Sequence, residues 1–149
     1  MIKDDIKLRG DLHIVITDSV TGKVKEDRLE KNLVVTTGRD FIASRMAGVT
    51  SGVMTHMAVG TSNTTPAAGD TVLGGEIARV VVTVSGGTPT GNTVTYVANF
   101  PAGTGTGALQ EAGIFNAGTS GTMLSRTTYA VINKGATDAM TITWVITVG

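Results

Sequence analysis

The sequence predicts an all-β protein, an antiparallel two-sheet sandwich with one short helix. Short runs rich in Val, Ile and Thr recur along the chain, and turns rich in Gly, Thr and Asn separate them. Only one segment has the apolar spacing of a helix. At 149 residues the chain is long enough for one domain with a proper core and too short for two. We therefore expect a single domain.

The N-terminal segment 1–31 is predicted to be a charged arm or hairpin of the same domain. Leu12 to Thr17 is dense in β-branched residues and reads as a strand, and residues 18–22 provide turn formers. Residues 23–30 alternate charged and apolar side chains, which is typical of a solvent-exposed return strand. We expect the β-sandwich itself to span 32–149, beginning with an extended run at 32–35.

The one helix is predicted near residues 37–47. Thr36 or Thr37 can cap its N-terminus, Asp40 would lie in the first turn, and Gly48 can end it. Its core-facing side is expected to consist of Phe41, Ile42 and Met46.

From Met54 onward every signal is that of a strand or a turn. The expected strands, about eight or nine with those of the N-terminal part, lie at 54–59, 77–84, 93–100, 112–115, 123–132 and 140–148. Between them, 61–75 is a long loop and 85–92 a hairpin loop. In the strand 93–100, one face should consist of Val94, Tyr96, Ala98 and Phe100. In the last strand Ile142, Trp144 and Ile146 should share one face. The pattern suits a jelly roll or an immunoglobulin-like sandwich and does not choose between them.

Composition excludes several classes of function. The twelve basic and twelve acidic side chains cancel, so the excess of positive charge that nucleic acid or an anionic membrane surface requires is missing. The absence of cysteine excludes disulfides and thiolate metal sites. The charged N-terminus does not resemble a signal peptide, and no apolar run is long enough to cross a bilayer. We expect synthesis in a cytoplasm.

The charges are unevenly distributed along the chain. Residues 1–50 hold 17 of the 24 charged side chains and residues 51–149 hold seven. The surface of a free domain is usually richer in charge, although Thr-rich surface can be solvated without it. Packing of this uncharged part against neighbouring protein chains is the simpler interpretation.

Catalytic motifs are missing. His13 and His56 lie far apart, and a triad of His56 with Ser51, Ser62 or Asp70 lacks a nucleophile motif. Two isolated histidines do not indicate a zinc site. The glycine-rich runs connect strands and contain no Lys, unlike phosphate-binding loops. We predict no catalytic residue, metal or cofactor, and therefore no enzyme.

Four charged residues in the uncharged part are predicted to form structural ion pairs. Glu76 has Arg79 three positions later, and Glu111 can reach Arg126 across a hairpin. A carboxylate beside an arginine is a stable anion and a poor general acid. Such pairs add little net stability after desolvation but can fix register or arrangement.

Segments 32–46, 57–79, 94–116 and 120–148 together resemble small structural proteins of tailed bacteriophages and prophages. The shared pattern is a Gly-Thr turn (Gly60-Thr61), T-x-L-x-x-E-x-x-R from Thr71, E-A-G-I-F-N from Glu111, and a closing strand K-x-x-x-D-x-x-T-I-T-W from Lys134, in which the acidic residue is Asp138. These motifs are weak singly and more specific as an ordered set. The resemblance covers most of the chain.

The resemblance implies a β-sandwich on the virion surface, made in the host bacterial cytoplasm and self-associating, often as trimers. The short length and single domain of the chain favour a capsid decoration (cement) protein that binds the major capsid protein and bridges its subunits. The alternative is a tail-fibre, baseplate or other tail component, which would bind tail proteins. A more distant one is a carbohydrate-binding module, which the scarcity of aromatic residues disfavours.

Overall fold

The computed structural model describes residues 6–48 and 52–149 and confirms the predicted fold class. Two five-stranded antiparallel sheets pack face to face, with one short helix beside them. The elements are β1 (Leu8–Asp18), β2 (Val24–Lys31), β3 (Leu33–Val34), α1 (Thr36–Met46), β4 (His56–Gly60), β5 (Glu76–Val81), β6 (Thr88–Thr90), β7 (Thr93–Phe100), β8 (Gly107–Phe115), β9 (Met123–Lys134) and β10 (Asp138–Val148).

The first sheet has the order β2-β1-β10-β7-β6, and the second has the order β3-β9-β8-β4-β5. The described residues thus form ten strands, more than expected. The additional strand is β6, whose three residues lie in the segment 85–92 that was predicted to be a hairpin loop. Strands this short contain too few residues for an alternating pattern to stand out in the sequence.

The strand faces follow the predicted alternation. On β7, Tyr96, Ala98 and Phe100 are buried, and on β10 Ile142, Trp144 and Ile146 are buried. These side chains fill the main core between the sheets, where β10 pairs with β7 and β1 on either side. The largest of them, Trp144, is fully buried at the centre of β10.

Segment 1–31 contains the predicted hairpin of the same domain, since β1 and β2 pair as antiparallel strands. The sandwich does not begin at residue 32, however, because β1 lies inside the first sheet between β2 and β10, and its Leu12, Ile14 and Ile16 belong to the main core. Most of the charge of this segment lies on the edge strand β2 and on the outer face of β1. Residues 1–5 of the predicted arm lie outside the described residues.

The helix begins one residue earlier than predicted and docks differently. Val35 occupies the N-cap position without a side-chain hydrogen bond, and no acidic residue lies in the first turn, so the roles expected for Thr36, Thr37 and Asp40 were wrong. The Thr37 hydroxyl instead donates to the Met123 carbonyl over 2.9 Å. The helix end agrees with the prediction, since Gly48 has a positive φ of 68°.

The helix contacts the sandwich mainly through its N-terminal half. A Cβ at Gly38 would collide with the backbone carbonyl of Leu124, so glycine permits this close approach. Phe41 and Ile42 pack against the main core as predicted. Met46, expected on the same side, is 88% exposed.

The outer faces of the two sheets differ. The second sheet carries a separate apolar cluster formed by Val35, Ala58, Leu73, Phe115 and Met123. On β4 the side chains alternate, with Met57 and Val59 in the main core and Ala58 in this outer cluster. Because Leu73 belongs to the 61–75 loop, that loop covers the outer face of the second sheet.

The outer face of the first sheet has no such cover among the described elements. Its β7 and β10 rows alternate with the buried core residues and consist of Thr93, Thr95, Val97, Asn99, Thr141, Thr143, Val145 and Thr147. Neighbouring rows are in register, with Thr143 opposite both His13 on β1 and Val97 on β7. The β7–β10 half of this face therefore presents hydroxyl, amide and β-branched side chains without charge.

Candidate functional site

The best-built polar site of the described chain lies under the 61–75 loop. Its centre is Glu111 on β8, which is fully buried, with Arg126 on β9, which is 2% exposed. Gly113 pairs with Arg126 across the hairpin and Glu111 pairs with Thr128, so the two charged side chains are diagonal neighbours on one face. The Arg126 Nη2 and Nε atoms donate to Glu111 Oε2 over 3.0 and 3.2 Å.

The Glu111 carboxylate also binds both ends of the loop. Oε1 accepts hydrogen bonds from the backbone N–H groups of Ser62 at 3.2 Å and Gly75 at 2.6 Å. Oε2 accepts one from the N–H of Gly74 at 2.9 Å. One buried side chain thereby closes a loop of 15 residues, since it joins the chain just after β4 to the chain just before β5.

Arg126 binds the middle of the same loop. Its Nη1 atom donates to Asp70 Oδ2 over 2.9 Å, and the same oxygen accepts the N–H of Ala67 at 2.9 Å. We call Glu111, Arg126 and Asp70 the loop clamp. Because its three charged groups are bonded to one another and to backbone donors, the buried charges are compensated.

Small residues on the sheet make room for the loop. A Cβ at Gly60 would collide with the Glu111 carboxylate and the Gly75 carbonyl, and one at Gly113 would lie 3.0 Å from a Leu73 methyl. The Gly60-Thr61 turn of the sequence pattern therefore has a packing reason. Tyr129 adds a further bond to the clamp strand, donating its hydroxyl to the Glu111 carbonyl over 3.1 Å.

The second predicted pair, Glu76 and Arg79, lies at the edge of the same face. The contact is bidentate, with Arg79 Nη2 and Nε donating to the two Glu76 oxygens over 2.7 and 2.9 Å. The guanidinium stacks over the Phe115 ring at 3.8 Å from its centre. Its Nη1 donates to the carbonyls of Ala117 and Ser120, each over 2.9 Å. Arg79 thus closes the outer apolar cluster.

A third charged group was missed by sequence reasoning. Asp138 and Lys134 flank the turn between β9 and β10, and each is 1% exposed. Lys25 donates to both Asp138 oxygens, at 2.8 and 3.0 Å, and the Gly135 N–H donates to one at 2.7 Å. The spacing of Lys134 and Asp138 in the closing-strand motif was the available signal, but Lys25 comes from a distant strand.

The pKa values of this group follow from its contacts. The hydrogen bond from Lys25 holds the pKa of the Asp138 carboxyl below its ordinary value, with the Gly135 N–H acting in the same sense. The same bond raises the pKa of Lys25. Burial lowers the pKa of Lys134, whose Nζ donates to the carbonyl oxygens of Asp138 and Pro101 over 2.6 and 3.0 Å.

All seven charged side chains of residues 52–149 are therefore used inside the molecule, in ion pairs or in bonds to backbone carbonyls. The histidines are separate from these groups: His13 bonds Asp27 over 2.6 Å and His56 bonds Thr55 over 2.8 Å. The oxygens of Ser62 and Asp70 bond within the loop and clamp, and Ser51 lies outside the described residues.

Within residues 6–48 and 52–149 no cluster of His, Asp and Glu has the composition of a metal site. Over the same residues, no helix has the length and apolar character needed to cross a membrane. The clamp carboxylate is saturated with donors, so its geometry suits a structural role. No protein-family model matches the chain, and neither a curated protein nor a solved structure matches it.

The clamp makes a direct prediction for stability. Glu111→Gln keeps the side-chain shape but leaves Arg126 buried with less compensation and weakens three loop hydrogen bonds. We expect a loss of about 3 kcal/mol in the free energy of unfolding, measured by urea denaturation. The variant should also be cleaved faster within 61–75 by a nonspecific protease.

Glu76→Gln is the matched control, because Glu76 also pairs with an arginine but its side chain is 32% exposed. It should cost less than about 1 kcal/mol. Equal losses in the two variants, with unchanged cleavage of the loop, would contradict the role given to the clamp.

The Asp138 group predicts how stability depends on pH. Because its folded pKa lies below the ordinary 3.8, the carboxylate stabilises the fold above pH 3.8, and this stabilisation is lost as the pH falls through the folded pKa. Asp138→Asn should lower the melting temperature at pH 7, and the deficit should shrink below pH 3.8. Asp40→Asn, on the exposed side of α1, is the control. A deficit that does not change with pH would refute this assignment.

Proposed function

We propose that this protein is a virion structural protein of a tailed bacteriophage, and specifically a capsid decoration (cement) protein that bridges subunits of the major capsid protein. The observation that carries the proposal is the uncovered, uncharged β7–β10 half of the first sheet. The phage assignment comes from the ordered sequence motifs. Several of these motifs contain residues that hold the fold together, namely Gly60 in its turn, Glu111 in the loop clamp and Lys134 in the turn before β10.

The contrast between the two outer faces supports a packing role. The apolar cluster of the second sheet is covered by its own loop, held by three charged side chains, while Val81 on β5 and Val131 on β9 stay exposed away from the loop. The first sheet keeps Thr and Val side chains outward with no cover among the described elements. A face without charge can be buried against protein without desolvating ions, which is the costly part of forming an interface.

The outer face of the whole first sheet has about the size of a specific interface. From strand lengths and the usual strand spacing it offers about 700 Å², close to the roughly 800 Å² that each partner buries in a standard complex. A standard interface centred on the β7–β10 half would therefore extend over β1 and β2, whose charges would lie at its rim. A groove of about 410 Å³ runs across β1 between β2 and β10. Leu29, Thr143 and Val145 line it together with His13 and the charged Asp11, Glu30 and Lys31. Leu29 is 78% exposed at its rim, where it can pack on a partner.

The carbohydrate-binding alternative has less support. Sugar-binding sheets commonly stack saccharide rings on exposed aromatic side chains. Tyr and Trp suit such surfaces because each combines an apolar ring with a polar group. Here the large aromatic side chains are internal: Trp144, Phe100, Phe115, Tyr96 and Tyr129 are all buried. The outer face of the first sheet therefore has no aromatic platform within the described chain.

The direct test is to locate the protein on the particle. Gold-labelled antibody should decorate the heads of intact virions, and particles that lack the protein should lose resistance to heat while adsorbing to cells normally. Labelling confined to tails, with impaired adsorption and normal head stability, would replace the proposal with a tail-fibre or baseplate role.

The docking face is tested by Val97→Lys, on β7 opposite Thr143. A lysine in the middle of the uncharged half would be buried without a partner, so binding of the purified protein to stripped capsids should weaken at least about tenfold. Val20→Lys is the control and should bind normally, because Val20 lies in the turn after β1 and is 80% exposed. Both variants should keep the wild-type melting temperature. Normal capsid binding by Val97→Lys would remove this face from the proposal.

A further inference from the structure

An apolar cavity of about 250 Å³ lies at one end of the sandwich, between α1 and the sheets. It is separate from the loop clamp and from the outer face of the first sheet. Both sheets and the helix contribute to its walls, which include Phe41, Ile42, Met54, Val94, Leu124 and Ile146. The helix thus lies over the open end of the core and leaves the space beneath it unfilled.

The size and lining of the cavity favour a hydrocarbon ligand. An apolar cavity of about 150 Å³ stays free of water and binds benzene, so by proportion this one holds about ten carbon atoms. The cavity is partly open to solvent, and water inside it finds few hydrogen-bond partners because the walls are almost wholly carbon. A ligand that fills it replaces missing dispersion contacts along the wall.

The polar groups at the cavity indicate the charge of the ligand. Arg45, in the last turn of α1, is the only charged residue among the described lining residues. One of its five N–H donors bonds the Gly52 carbonyl over 3.3 Å. The phenol of Tyr96 also lines the cavity, and burial raises its pKa to about 12, so it adds no negative charge at neutral pH.

We propose that this cavity binds an aliphatic carboxylate of about eight to ten carbons, with its chain between α1 and the sheets and its carboxylate at Arg45. Arg45 supplies a planar fork of donors that matches a carboxylate. The inference rests on the cavity alone and is independent of where the protein lies on a virion.

The test is a chain-length series on the full-length protein. Hexanoate, octanoate and decanoate, kept below their micellar concentrations, should bind one site by calorimetry and shift the methyl resonances of Ile42, Val94 and Ile146. Each buried methylene should raise affinity about fourfold, so two carbons give about fifteenfold. The gain should stop near ten carbons, where the cavity is full.

Head-group selectivity tests the role of Arg45. Octanoate should bind up to about fivefold more tightly than octanol, the range of a solvent-accessible ion pair, and octylamine should bind most weakly. Arg45→Gln should abolish the preference for octanoate over octanol. Arg39→Gln, an exposed arginine of the same helix that does not line the cavity, should retain it.

Ile42→Trp is designed to fill the cavity and should remove binding altogether. If that variant does not fold, the chain-length series and the Arg45→Gln variant still decide the question. Affinity that does not depend on chain length, or octylamine binding as tightly as octanoate, would overturn the proposal. So would a change in oligomeric state on ligand addition without one-to-one saturation, because a side chain of a second copy would then occupy the cavity.

Discussion

The burial of one carboxylate shapes the outer half of this molecule. Glu111 is removed from water and accepts hydrogen bonds from an arginine and from three backbone N–H groups of the 61–75 loop. A buried carboxylate without those donors would destabilise the fold, so loop and sheet require each other. The main effect of the clamp is to fix the position of the loop, because a buried ion pair adds little stability beyond what well-packed apolar residues would give in its place.

The binding of the loop by Glu111 gives the two sheets different outer surfaces. The second sheet satisfies its charges and covers its apolar cluster with its own loop, with Arg79 closing the edge over Phe115. The first sheet keeps charge on β1 and β2 and leaves the β7–β10 half to Thr and Val. The charged side chains of residues 52–149 bond within the molecule. The surface of this part of the chain is therefore suited to contact with other protein chains, as the proposed function requires.

The elements that could be predicted are those governed by local pattern. The alternation on β7 and β10 follows from side-chain period, and the Glu76–Arg79 and Glu111–Arg126 contacts follow from spacing and hairpin register. Other features depend on distant parts of the chain. The helix start is fixed by β9 contacts to Thr37 and Gly38, not by a cap, and Asp138 meets Lys25 only because β1 and β2 join β10 in one sheet. Asp70 joins the clamp through loop folding that no periodicity describes.

Native-state hydrogen exchange at the amides of Ser62, Gly74 and Gly75 tests most directly whether Glu111 holds the loop. Loop amides normally exchange through small local fluctuations. If the clamp is intact, these three should exchange only through openings close to the global free energy of unfolding, like the amides of β8, while Thr65 and Thr71 exchange quickly. Rapid exchange of all five amides would show that the loop is not fastened to the sheet and would contradict the central role given to Glu111.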